Sequence, residues 1–224
     1  MALMDEEIKN SIVDALYRDP RINASDVSVK VDNGNVTLSG QVPTYFSFTA
    51  THSNALQTPG VVSVDNRLIV SYPPGISTLS DSELLKIVEE KLARNPDIEI
   101  QDKEIDVTGG NVTLRGTVDA YWKKDYAENL VASEPGVLTI ANNLAIVPDK
   151  DYLDQDVANG VSLSLESNPL VSVEDIDVRV ENGKVTLTGT VPSWPVWEAA
   201  HNSAVLTPGV RGVENLIVVS WPQL

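Results

Sequence analysis

Cysteine is absent from the 224 residues, which excludes disulfide frameworks, thiolate metal centres and cysteine nucleophiles while leaving the redox compartment open. Basic residues are scarce: 16 Lys plus Arg stand against 32 Asp plus Glu, for a formal charge of −16. Such a charge repels nucleic-acid backbones and anionic bilayers, so no nucleic-acid partner is expected. No stretch approaches the roughly 18 consecutive apolar residues of a spanning helix. The N-terminus carries Asp5, Glu6 and Glu7 and no apolar run of signal-peptide length, so it reads as a cytoplasmic start, or as periplasmic if a leader has been removed. Against these absences, 42% hydrophobic and 21% charged residues suffice for a packed core.

What the sequence does contain is a repeat. "NGNVTLSGQVPTYF" from Asn33 returns as "GGNVTLRGTVDAYW" and again as "ENGKVTLTGTVPSWP". Aligning the glycine pairs Gly34 and Gly40, Gly110 and Gly116, Gly183 and Gly189 brings three "PGV" triplets into register, with their glycines at Gly60, Gly136 and Gly209. Repetition at this period points to three small units rather than one large domain. The expected boundaries are 1–72, 76–148 and 152–221, separated by the Pro/Gly/Ser-rich "SYPPGISTLSD" and the acidic "VPDKDYLDQD".

Each unit opens with apolar residues at i, i+4 and i+8: Ile8, Ile12 and Leu16; Leu84, Val88 and Leu92; Val157, Val161 and Leu165. That is one buried helical stripe per unit. "RDPR", "RNPD" and "SNPL" stop these helices with a proline, Ser80 or Asp81 precedes the second, and Asp154 is placed to cap the third. Alternation follows in Val27, Val29 and Val31, then a turn, then Val36 and Leu38, which predicts a hairpin. A second helix runs to "TPG", with small residues four apart (Thr51 and Ala55, Ala127 and Val131, Ala200 and Ala204) for close packing on a sheet. A mostly apolar third strand closes the unit. The predicted class is α+β: three tandem two-layer sandwiches, each α-β-β-α-β, with a small mixed sheet and two helices on one face.

The ordered set of helix, "DP" or "NP", "NGxVTLxG", small-residue helix, "PGV" and closing Asn66, Asn142 or Asn215 resembles the BON domain, named for bacterial osmotically inducible and nodulation proteins. The resemblance spans nearly the whole chain. It implies a stress-linked, non-enzymatic module that attaches to membrane phospholipids or other hydrophobic ligands, with no catalytic residues to carry over. The three-unit arrangement is similar to members labelled transport-associated proteins.

Chemistry-bearing patterns are few. The paired glycines suggest a phosphate loop, but such loops follow a strand and open a helix beside a lysine. Here the first glycine belongs in a hairpin turn, where Gly34 and Gly183 supply positive φ, and the second permits a bulge or a close helix approach. His52 and His201 share one position of the second helix with Glu128. Without a partner spacing such as H-x-x-x-H they read as exposed helix-face residues, and no metal or cofactor is expected. The acidic runs at 88–90 and 102–106 read as solvated faces, and "DKDYLDQD" lacks the glycine and glutamate of a calcium loop. No motif points to an enzyme.

The aromatic residues gather at the entrance to each second helix: Tyr45 and Phe46; Tyr121 and Trp122 with Lys123 and Lys124; Trp194 and Trp197. Tyr and Trp suit a boundary that is apolar at one end and wet at the other. These eight residues are the candidate contacts for a phospholipid surface or a membrane-linked protein. The competing expectation is a soluble protein-interaction scaffold without lipid contact, using sheet faces or strand edges.

Overall fold

The computed structural model describes residues 2–71 and 79–220. Most of the first predicted linker, with the extreme ends of the chain, lies outside these. By internal contact the chain forms two compact units, Met1–Leu92 with Ile105–Thr113 and Asn129–Ala141, and Ala93–Glu104 with Leu114–Glu128 and Asn142–Leu224. That division runs through the middle repeat.

The first repeat comprises α1 (Ala2–Arg18), β1 (Val27–Asp32), β2 (Asn35–Val42), α2 (Tyr45–Leu56) and β3 (Ser63–Val70). The strand order is β1-β2-β3, with β1 antiparallel and β3 parallel to β2, so the sheet is mixed as predicted. The same order recurs in α3 (Asp81–Ala93), β4 (Gln101–Thr108), β5 (Asn111–Val118), α4 (Tyr121–Ala132) and β6 (Thr139–Ile146). The third repeat has α5 (Asp154–Glu166), β7 (Ile176–Glu181), β8 (Lys184–Val191) and α6 (Trp194–Val205). Its closing strand is broken into β9 (Gly212–Asn215) and β10 (Val218–Val219). Both pieces pair with β8 in one continuous register, Leu187 opposite Asn215 and Thr190 opposite Val218. The fold is thus α+β, an α-β-β-α-β unit made three times.

The periodic stripes lie where apolar burial places them. Ile12, Val88, Val161 and Leu165 are wholly inaccessible, and the rest of the three stripes nearly so. The small residues of the second helix, Thr51, Ala55, Ala127, Val131, Ala200 and Ala204, are all at 0% exposure. Their size allows the helix backbone to come close to the sheet. The core of the first repeat joins Ile8, Ile12 and Leu16 to Val36, Leu38, Val42, Ala50, Ala55 and Val61, which puts both helices on one sheet face.

The glycine pairs follow two separate needs. Asn33 and Gly34 have φ of 50° and 74°, the left-handed pair that a two-residue hairpin turn requires. Gly40 lies inside β2 at φ 118°, and a Cβ there would stand 2.0 Å from the Asp26 carbonyl oxygen. Of the bulge or close helix approach expected from sequence, the close approach is to the backbone of Asp26, the last residue of a 3-10 turn just before β1, and not to α1 or α2.

Candidate functional site

Two surface features recur in all three repeats: a carboxylate under the hairpin turn and an aromatic group at the second helix entrance. The first was misread from sequence. Asp154 does not cap α5, whose cap position is Leu153 without a side-chain bond. Its carboxylate instead accepts the amides of Asn182 and Gly183, both at 2.8 Å. Asp5 takes Asn33 and Gly34 at 2.9 and 3.1 Å, and Asp81 takes Gly109 and Gly110 at 2.8 and 3.0 Å. These bonds from the two turn amides hold the Asp81 carboxyl below its ordinary value. Ser80 supplies the true cap of α3 in a reciprocal pair: its amide donates to Glu83 at 2.9 Å, and the Glu83 amide donates back to Oγ at 3.3 Å.

At the first helix entrance, the Thr44 hydroxyl accepts the Ser47 amide at 2.9 Å, and Ser47 Oγ ties the turn to the Arg21 carbonyl at 2.8 Å. Tyr45 stacks on Phe48 at 5.8 Å, and Phe46 stays 37% exposed. The Arg21 guanidinium lies 5.5 Å from the centre of the Phe46 ring. Arg21 is held from the other side by Asp19, with Nε to Oδ1 at 2.8 Å and Nη2 to Oδ2 at 2.5 Å. This hydrogen bonding from Arg21 keeps the Asp19 carboxyl far below the usual carboxylate range. The edge therefore presents an oriented cation on an exposed ring.

The middle entrance is built differently. Tyr121, Trp122, Lys123 and Lys124 are all half-buried. Tyr121 packs against the core of the third repeat, a contact within the second compact unit. Lys123 is paired with Asp119 at 2.8 Å, and its ammonium lies 5.7 Å from the Trp122 ring. Trp122 faces Tyr126 at 6.2 Å, and the Tyr126 hydroxyl accepts Asn95 at 3.2 Å. Burial first, then the charge of Glu128, pushes Asp125 up to about 6, with Lys124 opposing. Burial and the same two carboxylates raise the Tyr121 phenol.

In the third repeat Trp194 and Trp197 meet at 5.5 Å, and Trp197 stacks on His201 at 5.4 Å and 11°. His52 and His201 are half-buried, contrary to the exposed position expected; the equivalent Glu128 of the middle repeat reaches Asn142 on the closing strand at 3.2 Å, so this helix position does not look straight out to solvent. Burial lowers both imidazoles from their ordinary value. Among the described residues no group of three or more His, Asp or Glu could hold a metal ion. Nor is any helix among them long and apolar enough to cross a membrane.

The model of the BON domain matches three times, at residues 4–72, 80–148 and 154–220. The chain belongs to the BON domain family. Its BON repeats are 29% identical to the Osmotically-inducible protein Y of Escherichia coli (strain K12) over 143 residues, covering 62% of this chain and 71% of that one. They are 30% identical to the 21 kDa hemolysin of Actinobacillus pleuropneumoniae over 156 residues, covering 66% and 77%. Against CdsD, a structural protein of the Type III secretion system of Chlamydia trachomatis, identity is 15% and the TM-score 0.28, with 100% and 94% of the two chains covered. At that level the pairing says nothing of function.

Sequence reasoning missed Arg21, Asp19 and the three turn carboxylates. The acids had a readable signal, since each stands one helical turn before its apolar stripe, at the same distance from the hairpin glycine. Arg21 had none: the matching positions are Asp97 and Leu170.

Proposed function

We propose that this tandem BON protein is a non-catalytic binding module that associates weakly with phospholipid surfaces or a hydrophobic ligand under osmotic stress. The observation that carries the reading is the first entrance, where the exposed Phe46 ring lies beside the oriented, partly exposed Arg21 guanidinium. An apolar ring flanked by a cation suits the boundary between acyl chains and phosphate. The family, and two relatives named for osmotic induction and for haemolysis, support it.

Magnitudes keep the association weak. A basic residue at an anionic surface contributes about 1 kcal/mol, and the exposed part of one Phe side chain contributes roughly another. The net charge of −16 opposes approach to anionic bilayers. Co-sedimentation with phosphatidylcholine and phosphatidylglycerol vesicles at low and moderate salt tests the reading. Binding lost on Phe46→Ala and Arg21→Gln, and kept on Trp122→Ala, supports contact at the first entrance; no binding to either vesicle overturns it.

A second reading, a protein-binding scaffold, rests on the closing strand of the third repeat. That strand lies beside β8 with Leu216 and Val218 exposed. Capture of a protein partner that Val218→Asp abolishes, with no vesicle binding, would favour it.

A further inference from the structure

Each closing strand carries an asparagine, Asn66, Asn142 or Asn215, and the second helix carries His52, Glu128 or His201 at the repeat position whose Glu128 contacts Asn142 in the middle unit. In the middle repeat the joint is complete. The Asn142 amide donates to the Lys124 carbonyl at 2.8 Å and to Glu128 Oε2 at 3.2 Å, and its oxygen accepts the Leu144 amide at 3.4 Å. In the first repeat Asn66 keeps the Phe48 carbonyl at 3.4 Å and the Leu68 amide at 3.1 Å. In the third, Asn215 accepts the Ile217 amide at 3.1 Å. Among the described residues, the side-chain atoms buried without a hydrogen-bond partner are Nδ1 of His52, Nδ1 of His201 and Nδ2 of Asn215.

An asparagine amide has two hydrogens to place, and a neutral imidazole offers one acceptor nitrogen. Where the middle repeat has a carboxylate to receive the second hydrogen, the outer repeats have an imidazole. We propose that His52 and His201 make the outer repeats acid-sensitive: by the equivalence of the repeats, the buried and unbonded Nδ1 faces the closing-strand asparagine amide as Glu128 faces Asn142, and protonation turns it from an available acceptor into a donor facing a donor. The middle repeat has no imidazole at this place and does not share the switch.

The surroundings agree with a neutral ring. Trp197, which packs against the core of the third repeat, stacks on the His201 ring at 5.4 Å. Several charged groups on adjoining elements are already paired: Lys9 with Glu6 on α1, Asp19 with Arg21 and with Asn54 of α2, Asp65 with Arg67 on β3, Asp154 with the turn amides, and Glu214 on β9 with Lys184, while α1 also carries Glu7, Asp14 and Arg18 and α5 Asp156 and Glu166. Glu198, on the helix of His201, favours the cation and works against the effect. The sign follows from linkage. A group whose folded value lies below its ordinary 6.5 leaves stability intact above that pH and removes it as pH falls below. At pH 5.5 the loss is at most about tenfold in the folding equilibrium per histidine.

The chain has 2 histidines, so imidazole nitrogen and carbon correlation spectra of the full chain give two separate titrations. Expected are Nε2–H tautomers at pH 7.5, midpoints below 6.5, and side-chain amide signals of Asn66 and Asn215 that move with those midpoints. His201→Gln, which keeps an acceptor and removes the titration, is expected to lose less melting temperature than the parent between pH 7 and 5.5, measured with Asp125→Asn in both backgrounds so that its titration does not enter. A midpoint at or above 6.5, an Nδ1–H tautomer, or an Asn215 amide indifferent to His201 overturns the proposal, and these readouts stand whether or not the variant folds.

Discussion

The turn carboxylates give a prediction whose size can be worked from geometry. Asp154 accepts two backbone amides at 2.8 Å each. Asp154→Asn keeps one acceptor oxygen but turns an NH2 group toward the other amide. One lost bond plus one donor facing a donor costs about 1–2 kcal/mol. At 1.4 kcal/mol per factor of ten, protection of the Asn182 and Gly183 amides against hydrogen exchange falls roughly 5- to 30-fold. Asp154→Ala removes both bonds and is expected to lose more. In the same sample Asn33 and Gly34, held by Asp5, act as an internal control with unchanged exchange. Asp81 adds a pH arm. Its folded value is depressed below 3.8, so its contribution is complete above that pH and disappears as pH falls through the lower folded value. Gly109 and Gly110 therefore stay protected from pH 7 to about 4 and lose protection only in stronger acid. Unchanged exchange at Asn182 and Gly183 in Asp154→Ala would show that the left-handed turn holds itself, and would refute the clasp.

Two further outcomes follow from packing and charge. Gly189→Ala places a Cβ 2.0 Å from the Asp175 carbonyl oxygen in a φ of +141°, so the third repeat is expected to lose more than about 3 kcal/mol, read as an early thermal transition of the full chain. Asp125 is raised to about 6, so its ionised form is penalised in the folded state above that pH. Asp125→Asn should therefore raise the melting temperature at pH 7.5, with the gain vanishing by pH 4; a gain that persists at pH 4 would assign it to packing instead.

The parts of this protein legible from sequence are those governed by local periodicity. Ile12, Val88 and Val161 announced a buried stripe because a helix repeats its face every three to four residues, and the hairpins announced themselves through Asn-Gly and Gly-Gly pairs. Bonds that join elements far apart in the chain had no such period. Asp5, which reaches a turn 28 residues on, shows only through its recurrence at the same place in every repeat, and nothing in "RDPR" says that Arg21 comes to lie over Phe46. The aromatic entrances were found as a set, yet their exposure was not, because half-burial of Tyr121 depends on a neighbour in another repeat.

The reason for three copies lies in the contrast between what they keep and what they vary. The stripe, the hairpin glycines, the turn carboxylate and the small-residue helix face are held constant, and all of them serve one chain's packing. Around that frame the position after the helix-stopping proline is Arg21, Asp97 or Leu170, and the position facing the closing asparagine is His52, Glu128 or His201. Three equal contact edges would act by avidity alone. Edges that are cationic in the first repeat, docked in the second and apolar in the third, where Leu170 is 61% exposed, cannot add in that way. Removing the first edge is therefore a loss of one kind of contact rather than a third of one shared contact. Replacing Arg21 and Phe46 should accordingly abolish salt-sensitive association, while Leu170→Ser leaves it intact.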